Sequence, residues 1–124
     1  MTQPYELPSP FEVETGTVLL HEPAWAKAGE LRARLLDESY PKPFVIDDGK
    51  SRFLYFNVRL MQSEMSLKTP NDLMLRYTQK MMAFLLFHPR PKRLVLIGLG
   101  GGSLVKFCHH RLPGTQMTAV ELNP

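Results

Sequence analysis

Three glycines, Gly98, Gly100 and Gly102, follow directly on the apolar run Leu94-Val95-Leu96-Ile97, and an acid, Glu121, stands 19 positions beyond the last of them. Glycine has no Cβ, so a turn built from it bends tightly and lets a ligand come close to the backbone. Where such a turn opens a helix, unpaired amide groups and the positive end of the helix dipole face the same point. A carboxylate ending the next strand can accept hydrogen bonds from both hydroxyls of a ribose. Strand, glycine turn, helix, strand and terminal acid therefore read together as a nucleoside site. A tight turn with a purely structural role is the alternative.

The spacing narrows the ligand. A dinucleotide fingerprint needs G-x-G-x-x-G, or alanine in the last place. Counted from Gly98, the sixth residue is Ser103; counted from Gly100, it is Val105. The pattern here is G-x-G-x-G, which points away from a dinucleotide and toward a simpler nucleoside-type ligand.

The elements that must hold this turn follow from periodicity. Arg93 to Ile97 is continuous, apolar and β-branched, as in a fully buried parallel strand. Ser103 to His110 reads as a short helix, with Ser103 as its N-cap. Leu112-Pro113-Gly114 breaks that helix, and Gln116 to Glu121 forms the second strand. Upstream, Leu73 to Phe87 is expected to be one helix, capped by Asn71 or Asp72 and stopped by His88-Pro89-Arg90-Pro91. Its apolar face would carry Leu73, Tyr77, Met81, Phe84 and Leu85. Phe44-Val45-Ile46 and Ser51 to Arg59 flank Asp47-Asp48-Gly49-Lys50, a hairpin signal with the two aspartates as turn residues. Leu60 to Leu67 would continue as a strand. Ala24 to Asp37 is rich in helix formers, and Trp25, Ala28, Leu31, Leu35 and Leu36 fall near helical spacing. Val18 to Leu20 is a short strand. Met1 to Pro10, with Pro4, Pro8 and Pro10, reads as a loose tail.

Three segments result: tail and helix over 1–43, a small β-domain over 44–70, and over 71–124 a helix with the beginning of a nucleoside-binding domain. The fold class is α/β.

Other residues that could do chemistry have plainer explanations. Cys108 falls on the helix after the turn, without an acid or base partner in the pattern, and reads as a small buried hydrophobe. His109, His110 and Arg111 close that helix, where cations favour the dipole. No ligand-type spacing supports a metal site. Met61, Met65, Met74, Met81 and Met82 read as core filling. Gln62 is a polar residue near a strand end, and Tyr77 a core aromatic on a helix face. No pair of carboxylates suggests an acid/base dyad.

The bulk numbers exclude several classes. With 124 residues, 44% hydrophobic, 22% charged and a net charge of +3, the chain is balanced like a globular domain. The basic residues are scattered, and HPRPKR at 88–93 is broken by two prolines, so nucleic acid is not an expected partner. No apolar run approaches the ~18–20 residues that span a bilayer. A single cysteine and an N-terminus without basic and apolar signal-peptide regions make the cytoplasm the expected location.

Tyr77-Thr78 with Met81-Met82, Leu86-Phe87-His88-Pro89, Val95-Leu96-Ile97-Gly98 and Val120-Glu121 together resemble spermidine synthase, the polyamine aminopropyltransferase family, and within it the divergent bacterial spermidine synthase-like group. The resemblance runs from about Phe44 to Pro124. The glycine pattern is also similar to the first motif of class I methyltransferases. The resemblance implies a small N-terminal antiparallel β-domain followed by the first β-α-β unit of a Rossmann-like domain of the S-adenosylmethionine-dependent methyltransferase type, here incomplete. It implies that Gly98, Gly100, Gly102 and Glu121 line the nucleoside pocket, that Gln62 contacts the adenosine and that Tyr77 sits in the substrate pocket. The implied co-substrate is decarboxylated S-adenosylmethionine or S-adenosylmethionine, with no permanently bound cofactor. A homodimer is one expected assembly.

Two departures stand out. Gly101 occupies the place of an aspartate that in the family contacts the polyamine amine, and Thr78 and Gln79 follow Tyr77 where the family has His and Glu. A cationic amine needs carboxylates, so methyl transfer on the same scaffold is the alternative reaction. The family also continues well past Glu121, with its catalytic Asp expected beyond Pro124. The expectation is therefore an N-terminal fragment without transferase activity of its own. The remaining alternative is a non-catalytic interaction fragment that pairs its open sheet edge with a partner or a second copy.

Overall fold

The structure is a computed structural model that describes residues 3–122. Residues 1–62 and 63–124 form two compact units. The fold is mixed α/β, and the expected antiparallel sheet is present: the strands β1 (Tyr5–Pro8), β2 (Thr17–Leu20), β3 (Phe44–Asp47), β4 (Ser51–Asn57) and β5 (Leu60–Ser66) lie in that order.

Strand β1 corrects the expectation of a loose tail. Tyr5 pairs with Leu20 and Leu7 with Val18, and Leu7 is buried while Glu6 and Pro8 face water. The prolines that argued against structure are accommodated because β1 is an edge strand, where a missing amide costs no ladder bond. β3 and β4 form the expected hairpin, with Phe44 opposite Tyr55 and their rings stacked at 5.4 Å. Its turn is held by the two aspartates: Asp47 Oδ1 accepts the Gly49 amide at 2.8 Å, and Asp48 Oδ1 accepts those of Lys50 and Ser51 at 2.8 and 2.7 Å.

Helix α1 (Ala28–Leu36) is shorter than its composition suggests. Pro23 and Ala26 form a turn ahead of it, which leaves Trp25 outside the helix and exposed. Leu31 and Leu35 pack into the core, whereas Leu36 does not. The helix stops at Asp37, and Glu38 takes a left-handed conformation (φ 64°). The core of this unit is Leu7, Val18, Leu20, Leu31, Leu35, Tyr40, Phe44, Ile46 and Tyr55.

In the second unit the single helix expected over Leu73–Phe87 is two shorter pieces. Helix α2 covers Arg76–Met81, and a 3₁₀ helix covers Met82–Leu86. Neither Asn71 nor Asp72 caps α2. Its N-cap is Leu75, and the Thr78 hydroxyl bonds back to the Leu75 carbonyl at 2.5 Å. That bond turns Thr78, not Tyr77, into the buried position of the helix; Tyr77 is 53% exposed, which corrects its reading as a core aromatic. Met61, Met74 and Met81 are likewise exposed rather than core filling.

Strand β6 (Arg93–Ile97), helix α3 (Ser103–Arg111) and strand β7 (Gln116–Val120) make a parallel β-α-β unit. Arg93 pairs with Gln116 and Ile97 with Val120. β6 is not buried on both faces. Leu94 and Leu96 are half-buried, while Val95 and Ile97 are 65% and 92% exposed. The sequence does not show this alternation, because Val95 and Ile97 on the open face are as apolar as Leu94 and Leu96 on the covered one.

Candidate functional site

The glycine turn sits at the carboxyl end of β6 and opens α3. Gly98, Gly100 and Gly102 have φ of 86°, 53° and 74°, all in the left-handed region that side chains other than glycine enter at a cost. A Cβ added at any of the three would meet nothing within 4 Å. The glycines are therefore required by backbone conformation rather than by crowding, and the space over the turn is open. The Gly98 amide donates to the Val120 carbonyl at 2.7 Å, which pins the start of the turn to the end of β7.

That pin brings Glu121 to the turn. Its Oε2 accepts the Leu99 amide at 2.7 Å and the Gly100 amide at 3.4 Å. A carboxylate on two successive amides is a charge-assisted arrangement, short at its first bond. α3 has no acidic residue in its first turn, and Glu121, just past the end of β7, places its charge on the turn that leads into the helix. The glycine spacing and the acid, 19 residues apart in sequence, converge on one point.

The helix cap differs from expectation. Gly102 is the N-cap of α3, and no side chain bonds the cap; Ser103 is the first helical residue. The left-handed φ of Gly102 moves the cap position one residue earlier than serine chemistry suggests. At the other end, His109, His110 and Arg111 do occupy the last turn, and the Arg111 guanidinium lies 5.9 Å from the Phe107 ring centroid.

Below the turn, Met81, Met82, Phe84, Leu94, Leu96, Leu104 and Cys108 line an apolar cavity of about 370 Å³ that reaches Gly98. Cys108 is 1% exposed, its Sγ lies 3.9 Å from Met82 Sδ, and burial pushes its thiol up. The cavity offers packing and no polar chemistry. Among the described residues no cluster of three or more His, Cys, Asp or Glu is placed to hold a metal ion, and no helix is long and apolar enough to cross a membrane.

Gly98, Gly100, Gly102 and Glu121 are thus assembled in the second unit. Gln62 belongs to the first, half-buried on β5. Tyr77 is on the surface of α2. Sequence reasoning did not anticipate the engagement of the Leu99 and Gly100 amides. The signal was present, since a strand-terminal acid in register with a glycine turn has backbone donors within reach.

The chain is 40% identical over 93 residues to a polyamine aminopropyltransferase of Chromobacterium violaceum, a match covering 75% of this chain and 36% of the relative. It is 37% identical over 94 residues to the protein of that name from Neisseria meningitidis serogroup A, with the same coverage. A third match, to the polyamine aminopropyltransferase of Vibrio vulnificus, is 42% identical over 48 residues, 39% of this chain and 16% of the relative. No protein-family model and no solved structure matches the chain. The chain spans about a third of the length of the first two relatives. Over the stretch it shares with them, this sequence is similar to the polyamine aminopropyltransferases (spermidine synthases).

Proposed function

We propose that this chain carries the nucleoside-binding part of a spermidine synthase-like aminopropyltransferase, the β6-α3-β7 segment being the opening of a Rossmann-like domain. The observation that carries the reading is the meeting of the Glu121 carboxylate with the glycine turn, 2.7 Å from the Leu99 amide. A carboxylate at this place is the group that accepts ribose hydroxyls in nucleotide-binding β-α-β units, and a Cβ at any of the three glycines would meet nothing within 4 Å. The ligand class is a sulfonium nucleoside, decarboxylated S-adenosylmethionine or S-adenosylmethionine, bound as a co-substrate. A small molecule, rather than nucleic acid or membrane, is the proposed partner, and the cytoplasm the proposed setting.

The attacking amine must be neutral, and it gives up one proton to a base as the new carbon–nitrogen bond forms. In aminopropyl transfer an amine nitrogen attacks the methylene beside the sulfonium. The carbon–sulfur bond breaks, its electron pair returns to sulfur, and methylthioadenosine leaves. The sulfonium is already activated, so catalysis consists largely of positioning the two reactants. The described residues at the turn include one carboxylate, already engaged with backbone amides, and we assign them donor binding rather than proton transfer. Tyr77, in the same unit as the glycine turn, is proposed to contact the second substrate.

One observation favours a second reaction on the same scaffold. Gly101 and Gln79 stand where the resemblance puts carboxylates that would hold a cationic acceptor, which suits methyl transfer. The products separate the two: methylthioadenosine marks aminopropyl transfer and S-adenosylhomocysteine marks methyl transfer. The site itself is tested by titrating the chain with methylthioadenosine while following backbone amide resonances. Shifts centred on Leu99, Gly100 and Gly102 are expected. No shift at these amides up to about 10 mM ligand, weaker than any specific affinity worth the name, would overturn the proposal.

A further inference from the structure

The charges of this chain are unevenly divided. Residues 63–124 carry eight Lys and Arg against three Asp and Glu, whereas residues 1–62 carry seven against nine. In the second unit the fold gathers basic residues that the sequence keeps apart. β6 and β7 are parallel, so α3 between them runs back and its last turn, ending at Arg111, returns to the amino ends of both strands. Arg90, Lys92 and Arg93 lead into β6 at that same edge. The Thr115 hydroxyl fastens the return by donating to the Pro91 carbonyl at 2.7 Å, as does the Gln116 amide by donating to the Lys92 carbonyl at 2.9 Å. All four basic side chains are exposed. Arg111 lies 4.0 Å from Asp72, but among the described residues Arg90, Lys92 and Arg93 make no ion pair.

The first unit has the opposite character at one end. The β1-β2 hairpin, closed by the Ser9 amide on the Gly16 carbonyl at 2.8 Å, carries Glu12 and Glu14 at its tip. Gly16 lies against the backbone of Asp47 and Asp48, so the tip adjoins the β3-β4 turn and its two aspartates. Asp47 holds Arg52 at 2.9 Å, whereas among the described residues Glu12 and Glu14 make no ion pair. We infer that these surfaces are the two halves of one interface, the acidic hairpin tip of one copy seating on the basic amino edge of the β-α-β unit of a second copy. Each half also offers uncovered apolar side chains: Val13, between the glutamates, is 84% exposed, and Leu86 and Phe87, just ahead of the basic residues, are 83% and 89% exposed. The contact is head-to-tail, so copies close into a ring or extend into a chain according to the rotation between them. Exposed ion pairs are individually weak, which places the association near millimolar concentration and under the control of salt. Other polyanions would be drawn to the same basic edge, but only a second copy makes Glu12 and Glu14 matter.

The test is sedimentation of the 124-residue chain at up to about 1 mM, where weak contacts are measurable. Its average mass is expected to rise with concentration in about 10 mM salt and to return to that of the monomer in about 1 M salt, where the screening length has fallen from about 30 Å to about 3 Å. Arg90→Glu with Lys92→Glu, and separately Glu12→Lys with Glu14→Lys, should each weaken association by about tenfold or more at low salt. Mixed one to one, the two reversed proteins should associate within about threefold of the wild type, a gain that misfolded variants cannot produce. Arg32→Glu with Arg34→Glu, on the exposed side of α1, changes the net charge as much as the first pair and should leave association within about twofold. A wild type that stays monomeric at low salt, a reversal at either surface without effect, a mixture that stays monomeric, or a loss as large from the α1 pair would each overturn the interface.

Discussion

Replacing Gly102 by alanine isolates the backbone requirement of the turn. Gly102 sits at φ 74°, ψ 15°, and precedes α3 as its N-cap. An L-residue in the left-handed region costs about 1–2 kcal/mol relative to glycine. No clash adds to this, because the new Cβ would meet nothing within 4 Å. Gly102→Ala is therefore expected to destabilise residues 63–124 by about 1–2 kcal/mol, a melting shift of roughly 5–15 °C for a unit of this size. Asparagine enters the left-handed region several-fold more readily than other residues. Gly102→Asn should cost about half as much as alanine or less, and Gly102→Val, β-branched, should cost the most. Trp25 lies in the other unit, so tryptophan fluorescence does not report the change. Hydrogen exchange at the paired amides of β6 and β7 does. The expected stability order is Gly, Asn, Ala, Val. An alanine variant as stable as wild type, or an asparagine variant worse than alanine, would refute the argument from φ.

Three further outcomes can be checked in the first unit. Leu35→Ala, which empties a fully buried site, should cost about 2–5 kcal/mol, whereas Leu36→Ala, at a position half open to water, should stay within about 0.5 kcal/mol; urea titrations measure both. Gly16→Ala places a Cβ 2.2 Å from the Asp47 carbonyl oxygen at φ 121°, and should cost about 2–4 kcal/mol in the same assay. The Lys42 ammonium, 2.8 Å from Glu22 Oε1, and then the Tyr40 hydroxyl hold the Glu22 carboxyl below its ordinary 4.5. A depressed folded value gives stability that is complete above the unfolded value and is lost as pH falls through the folded one. Lys42→Met should therefore flatten the loss of melting temperature as the pH falls below about 4.5; an unchanged acid limb would show the pair contributes nothing.

What could be read from the sequence was mostly local. Asp48-Gly49 between apolar runs, and three glycines between a β-branched run and a helix, are turn chemistry written in adjacent residues, and both turns formed where expected. What could not be read depended on distant partners. Tyr5–Pro8 became a strand because β2 offered it an edge, a pairing that no local propensity encodes. Trp25 matched a helical spacing but fell outside α1, because the turn at Pro23 delays the helix. Tyr77, expected in the core, is exposed, and Thr78, whose hydroxyl bonds the Leu75 carbonyl, is buried instead. The site was half legible: glycines and acid could be listed, but the acid's bond to the Leu99 amide needed the parallel register of β6 and β7.

The buried thiol of Cys108 has a practical consequence. It is the chain's one cysteine, and burial both hides it and suppresses its thiolate. A maleimide or disulfide reagent can capture it only after α3 lifts away from the Met82 side. Labelling therefore works as a clock for the opening of residues 63–124, silent toward events elsewhere in the polypeptide, and cross-linked dimers in a stored sample would report partial unfolding rather than surface oxidation.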